Sequence, residues 1–400
     1  MDIHDPEAMR RAGPEALGLA LMDARNRTLQ ALSLFDRLER VEPSPEFDPP
    51  IWVAGQAARF QEQWLLRFVQ RGRGESADPG SARLAALEPM LDWWLDPASC
   101  DRGQRWTGQA PAGETVRAYL LETMESTLEL LDKAAATDEG LYFYRLALWH
   151  EDRMAEQLLV LAQASGAVIT ADDSLPRLPS RSLRDPIGFA AQRVQLGTER
   201  GGFVPDAEKW AHEVAVPAFD IDAQPVCWAQ YAEFVDDGGY DDPAWWGDEG
   251  WAWVQNQGRR APRYVEQFAG GVLVHRLGRV TRVPSSQAAV HLSWHEADAW
   301  CRWAGRRLPT EAEWTAAVAG RGGRPVAWGD VWEWMAGRAR SYPGCTPGPA
   351  ALDLLPADGA WRVQRGASFA TPARQRRPAA RRFVRADDDA GFCGFRSCAV

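Results

Sequence analysis

His150, Met154 and Glu156 lie in the run Tyr144-Arg145-Leu146-Ala147-Leu148-Trp149-His150-Glu151-Asp152-Arg153-Met154-Ala155-Glu156. On a helix, residues four apart face the same way, and two histidines so placed can share one metal ion. Here the first position is an imidazole and the second a thioether, a donor that favours soft ions such as Cu(I). Arg153 shares the face of His150 and brings a positive charge to the place a dication would take. It can repel a metal and pair with Glu151, Glu156 or Glu62. Equally, its stem can cover the helices while its head reaches solvent. His291 and His295, with Glu296 beside them, repeat the four-residue spacing. His275 sits in the alternating run Val272, Val274, Arg276, which reads as a strand. Cys393 and Cys398 form a C-x4-C pair.

The elements that must carry these residues are legible from apolar periodicity. Four amphipathic helices are expected before residue 165, roughly Pro14–Leu38, Trp52–Gln70, Gly113–Lys133 and Asp138–Gln163. Helices of that length bury their apolar faces against one another, which makes a four-helix bundle the economical arrangement. A Pro-, Ser- and Arg-rich linker follows. Beyond it the chain breaks into short segments punctuated by Gly, Pro and Trp, with modest helices at Trp228–Val235 and Trp294–Trp303. The expected division is a bundle over 1–170, a linker over 171–186 and a second domain over 187–400.

Four hundred residues favour two domains over a single core. The net charge of −10 argues against nucleic acid, which calls for a basic patch. The acidic start lacks the apolar core of a signal peptide, and no apolar run approaches the ~20 residues a membrane helix needs. With six scattered cysteines, the expectation is reduced thiols and a cytoplasmic protein. The 20 tryptophans, most of them after residue 200, suit a loop-rich core held by aromatic packing.

The second half resembles the formylglycine-generating-enzyme-like domain, an α/β fold poor in regular structure. The matching segments are Glu208-Lys209-Trp210-Ala211-His212-Glu213-Val214, Asp237-Gly238-Gly239-Tyr240 and Val290-His291-Leu292-Ser293-Trp294-His295-Glu296-Ala297. They continue with Arg307-Leu308-Pro309-Thr310-Glu311-Ala312-Glu313-Trp314, Val331-Trp332-Glu333-Trp334, Arg365-Gly366-Ala367-Ser368-Phe369 and Gly394-Phe395-Arg396. The first half resembles a DinB-like bundle. Together they give the α+β architecture of the ergothioneine sulfoxide synthases and the selenoneine synthases. The selenoneine group looks closer, on Arg105-Trp106, Thr115-Val116-Arg117-Ala118-Tyr119-Leu120, Tyr142-Phe143-Tyr144, His150-Glu151-Asp152 and Ser397-Cys398-Ala399-Val400. No arginine-rich segment of the kind that receives a peptide thiol is evident between Arg71 and Gln104.

The resemblance implies a non-haem Fe(II), O2-dependent oxidoreductase. Such an enzyme joins hercynine, the trimethylated betaine of histidine, to a selenosugar or thiol donor. It implies three iron positions, which fall here on Gln56, His150 and Met154, with Glu156 behind them. It also implies a catalytic Tyr342, and Arg153, Trp334, Arg382 and Phe383 around the substrate. His291 and His295 then read as core histidines. The copper-binding cysteine pair of true formylglycine-generating enzymes has no counterpart between Ala370 and Arg376, which leaves Cys393 and Cys398 as ordinary thiols.

Two of the three imidazoles are therefore replaced. Arg382 stands where the family places an asparagine near the betaine, within the charge-dense run Arg374, Arg376, Arg377, Arg381, Arg382, Arg385. Such a run suits an anionic ligand in a basic cleft, or a solvated surface. Two functional expectations follow. One is oxidative C–Se or C–S bond formation. The alternative is an iron-free homologue that keeps the cleft and binds a small, anionic ligand or a partner.

Overall fold

A computed structural model describes residues 2–107, 110–170, 175–320, 326–356 and 358–400. Proline opens the first two long helices, α1 (Pro14–Ser33) and α2 (Pro50–Gln61). At the first helical position its missing N–H has no intrahelical partner to lose, and its φ is already helical. Two more follow, α3 (Gly113–Leu131) and α4 (Asp138–Ala164). Thr137 caps α4 by accepting from Gly140 N at 3.1 Å, and Asp138 and Glu139 complement its positive end. Helices α1 and α2 both pack on α4, and α3 packs on both α1 and α2. Leu17 and Leu21, Ala54 and Ala58, Val116 and Leu120, and Leu158 form the buried stripes. At Gly55 an added Cβ would lie 2.6 Å from Leu95 Cδ2, so a side chain there would require Leu95 to shift.

Two helix ends differ from expectation. α1 stops at Ser33 and tightens into a 3-10 turn over Leu34–Arg37. α2 was expected to reach Gln70, but it ends at Gln61 and passes into a π turn over Glu62–Leu66. The π turn coincides with a buried carboxylate: Glu62 accepts from the Tyr119 hydroxyl and from Leu87 N at 2.7 Å. Periodicity reports which face is buried, not where a side chain's bonding needs reshape the backbone. A buried ion pair ties three helices together. Arg25 Nε donates to Glu151 at 2.6 Å, and Gln61 Nε2 donates to the other Glu151 oxygen at 2.7 Å. Such a pair is tolerated inside because its remaining lone pairs and protons are also satisfied.

The second half begins with strands β1 (Ile187–Phe189), β2 (Gln192–Leu196), β3 (His212–Val216) and β4 (Phe219–Ile221). Helices α5 (Trp228–Asp236) and α6 (Asp248–Gln257) lead into the meander β5 (Val265–Gln267), β6 (Leu273–Arg276), β7 (Arg279–Arg282). Then come α7 (Trp294–Trp303), β8 (Arg306–Arg307) and α8 (Glu311–Val318). Ser293–Glu296 and Thr310–Glu313 form reciprocal capping boxes at α7 and α8. The chain ends with β9 (Trp332–Trp334), β10 (Trp361–Gly366), β11 (Arg381–Arg385), β12 (Cys393–Gly394) and β13 (Cys398–Ala399). The order β11-β10-β9-β12 makes one four-stranded sheet and β1-β4-β13-β8 another. As expected for a tryptophan-rich, loop-rich core, Trp228, Trp314 and Trp334 are fully buried.

Of the expected linker, residues 171–174 lie outside the described residues, and 175–186 contain no helix. The two halves share one apolar core, in which Leu158, Leu159 and Leu161 of α4 join Val272 and Val274 of the meander. Two carboxylates on α4 bolt it to the second half. Asp152 accepts from Arg374 Nε and Nη2 at 2.8 and 2.6 Å and from Gln375 Nε2 at 2.9 Å. Glu156 accepts from Trp332 Nε1, Ser368 Oγ and Thr371 Oγ1 at 2.9, 2.8 and 2.7 Å.

Candidate functional site

Between α4 and the β9–β11 sheet lies a cavity of about 600 Å³. Its helical wall carries Trp149, Asp152, Arg153, Glu156, Gln157 and Val160, a single face of α4. The opposite wall carries Trp332, Gln364, Arg381, Arg382 and Phe383. Antiparallel register sets Gln364 opposite Arg382 and Val363 opposite Phe383, so the sheet presents an amide and a guanidinium side by side.

The expected site residues divide between this cleft and other places. Arg153, Glu156, Arg382 and Phe383 line it. Arg153 pairs with Asp353 of the second half and stacks 4.6 Å from the Trp149 ring centroid. The partners expected for it are otherwise engaged: Glu151 by Arg25, Glu62 by Tyr119, and Glu156 by its three donors. Trp334 does not line the cleft; it is fully buried, with Nε1 donating to Leu292 O at 2.7 Å. Its neighbour Trp332 takes the cleft position, a role that the run Trp332-Glu333-Trp334 did not distinguish. Tyr342 is also absent from the cleft lining, although the guanidinium carbon of Arg381, which lines it, lies 3.9 Å from the Tyr342 ring centroid. Its hydroxyl donates to Glu311 at 2.9 Å and accepts from Arg365 at 2.7 Å, and burial pushes the phenol up to about 12.

Gln56, His150 and Met154, the expected iron positions, are absent from the cleft lining. Gln56 Nε2 donates to Leu95 O at 2.7 Å. His150 stacks on Phe60, ring centroids 4.2 Å apart, and its Nδ1 is buried without a hydrogen-bond partner. Loss of hydration, and then the Arg153 charge, hold the His150 imidazole neutral, lowered to about 3. Met154 packs on the shared apolar core. These donors do not fit Fe(II). One imidazole, an amide already committed through its nitrogen and a thioether do not make a hard-to-borderline ligand face. Among the described residues no group of three or more His, Cys, Asp or Glu could hold a metal ion.

His291 and His295 share no helix face, because α7 begins only at Trp294 and His291 has φ 65°. Both are buried, in keeping with core histidines. His291 Nδ1 lies 3.2 Å from Ala390 O, and His295 sits between Trp253 and Trp294. His275 falls in β6, and its ring meets Glu266 at 2.7 Å on the surface. All six cysteines are free thiols, Cys393 and Cys398 on different sheets.

The arginine run is neither a bare basic wall nor a solvated surface. Arg374, Arg377 and Arg381 are buried and paired with Asp152, Glu208 and Glu311. The pairing carboxylates come from distant segments, which is why the run reads as excess charge in one dimension. Nothing in the local spacing of Gln364 or Asp353 marks them as cleft residues, and Glu208 is marked only as the start of a family segment. No helix is long and apolar enough to cross a membrane, among the described residues.

Residues 181–330 match the family described as the sulfatase-modifying factor enzyme 1-like domain. The chain is 29% identical over 420 residues to a hercynine oxygenase of Mycolicibacterium smegmatis, covering 92% of this chain and 94% of that protein. A formylglycine-generating enzyme of Streptomyces coelicolor is 29% identical over 201 residues, 42% of this chain and 58% of the relative. A hercynine oxygenase of Mycolicibacterium thermoresistibile is 30% identical over 418 residues, 91% of this chain and 90% of the relative. With the similarity running through both the helical half and the sheet half that together build the cleft, the chain belongs to the hercynine oxygenase family.

Proposed function

We propose that this protein binds a small, hercynine-like zwitterion in the cleft between α4 and the β9–β11 sheet, without iron. In this reading residues 1–170 are a DinB-like bundle and 187–400 a formylglycine-generating-enzyme-like domain. The observation that carries it is the donor set at the expected iron positions: Gln56 bonded to Leu95, His150 stacked on Phe60, and Met154 packed against the core. The cleft itself keeps a group suited to the carboxylate of an imidazole betaine. Trp149 and Trp332 line it, each with a guanidinium stacked on its ring, and the guanidinium of Arg382 has no carboxylate partner among the described residues.

A second reading keeps the family's chemistry, with Fe(II) and oxygen joining hercynine to a thiol or selenosugar. The similarity to hercynine oxygenases across 91% of the chain favours it, and selenium enters only through the motif resemblance in the helical half. Calorimetry with hercynine, anaerobic Fe(II) titration and oxygen uptake separate the two. Hercynine binding with no iron binding and no oxygen uptake is expected. Near-stoichiometric iron in purified protein, or hercynine-dependent oxygen uptake, would overturn the iron-free reading. Failure of hercynine to bind would remove its ligand assignment.

A further inference from the structure

We infer that the cleft contains a carboxylate clamp built on Arg382, with Gln364 as its second donor; this deepens the ligand assignment above and rests on it. Six other arginines line the same cavity: Arg153, Arg259, Arg263, Arg377, Arg381 and Arg385. Each has a carboxylate partner within 4.0 Å. Arg382 has none among the described residues. Its Nε donates to Gln364 Oε1 at 2.7 Å, and its guanidinium carbon lies 4.5 Å from the Trp332 ring centroid. Those two contacts fix the plane of the group and leave both terminal nitrogens without an acceptor among the described residues.

Among the described residues, none of the carboxylates around it forms an ion pair with it. Glu156 is saturated by Trp332, Ser368 and Thr371. Asp388 lines the cavity and accepts from Ala390 N at 3.1 Å, and it forms no ion pair with Arg382. Asp389 is shared between Arg259 and Arg263. Arg382 is half-buried, and Glu156 and Asp388 act on it through space without an ion pair, which leaves its terminal donors available to a ligand.

Gln364 supplies the independent sign. It is fully buried and lines the cavity, and its Nε2 is buried with no hydrogen-bond partner. Its oxygen is committed to Arg382. The wall thus presents unmet donors on two cross-strand neighbours. A carboxylate, with two oxygens in one plane, satisfies a guanidinium in bidentate fashion and can take the amide as well. A cavity of about 600 Å³ accommodates a molecule the size of an amino-acid derivative around that anchor.

The test is calorimetry on the full chain with three probes: hercynine, its decarboxylated analogue, and imidazolepropionate, which keeps the carboxylate and lacks the trimethylammonium. Both carboxylates should bind the wild type at least about ten-fold more tightly than the decarboxylated compound. Arg382→Gln should lose at least about that factor for both carboxylates and leave the decarboxylated compound unchanged. Without ligand, Arg382→Gln should melt at the wild-type temperature or above, because Arg382 forms no ion pair and only one hydrogen bond, to Gln364, among the described residues; an arginine with only a structural role would lower it. Equal binding of hercynine and its decarboxylated analogue, or full carboxylate affinity in Arg382→Gln, overturns the clamp. If imidazolepropionate binds through Arg382 and hercynine does not, the clamp stands and the betaine assignment falls. If neither carboxylate binds the wild type, the clamp falls too.

Discussion

Replacing Glu156 tests how the two halves are held together, and the cost can be worked from its contacts. The side chain sits on α4 and is nine-tenths buried. Oε1 accepts from Trp332 Nε1 and Ser368 Oγ, and Oε2 accepts from Thr371 Oγ1, at 2.7–2.9 Å. Hydrogen bonds to a charged group contribute about 1.5–3 kcal/mol each, and three on one carboxylate do not add in full. Glu156→Ala leaves three buried donors unmet and should cost about 3–5 kcal/mol. Glu156→Gln keeps the oxygen that serves Trp332 and Ser368, and the Thr371 hydroxyl can rotate to accept from the new amide. That variant should cost about 1–2 kcal/mol. Urea unfolding followed by tryptophan fluorescence and by circular dichroism reads both values. It also shows whether the two probes separate, as they should if the helical half loses its anchor. Equal costs for the two variants would mean that charge, not the donor count, sets the contribution. A cost below about 1 kcal/mol for Glu156→Ala would refute the latch.

Three further outcomes are expected. Asp152→Ala strips Arg374 of its bidentate partner, leaving Asp23 at 2.7 Å; a loss of about 3–5 kcal/mol is expected in the same unfolding assay, with much of it recovered when Arg374→Met is added. The His291 imidazole is lowered from 6.5 to about 3, chiefly by burial. The folded state therefore binds fewer protons than the unfolded state between these values. Its contribution is present above pH 6.5 and is lost as pH falls, at about 1.4 kcal/mol per unit. His291→Asn, which tolerates the positive φ, should flatten acid unfolding by about one proton between pH 6 and 4. Unchanged steepness would rule out a buried neutral imidazole there. Finally, Gln56→His with Met154→His should raise Fe(II) affinity in an anaerobic titration. No gain would mean that the packing against Leu95 and Phe60 has closed the site as well as changed its donors.

What sequence alone determined here is whatever depends on local periodicity and on ordered motifs. The four long helices follow from apolar spacing along α1 to α4, and the caps at Ser293 and Thr310 are written within four residues. Ordered segments from Glu208 to Arg396 carried the family. The departures at Gln56, Met154 and Arg382 were visible as residue types. Only the tertiary structure decided what those departures do, because each meaning depends on partners far along the chain. Arg153 found Asp353, 200 residues away, and not the glutamates beside it. Glu156 proved to be a latch to Trp332, Ser368 and Thr371. The arginine run looked basic in one dimension and was mostly neutralised in three, by carboxylates from distant segments. That neutralisation leaves Arg376, bonded to two backbone carbonyls, and Arg382 in the cleft: the charge of Arg382 was evident from the chain, but its lack of a carboxylate partner exists only in the fold.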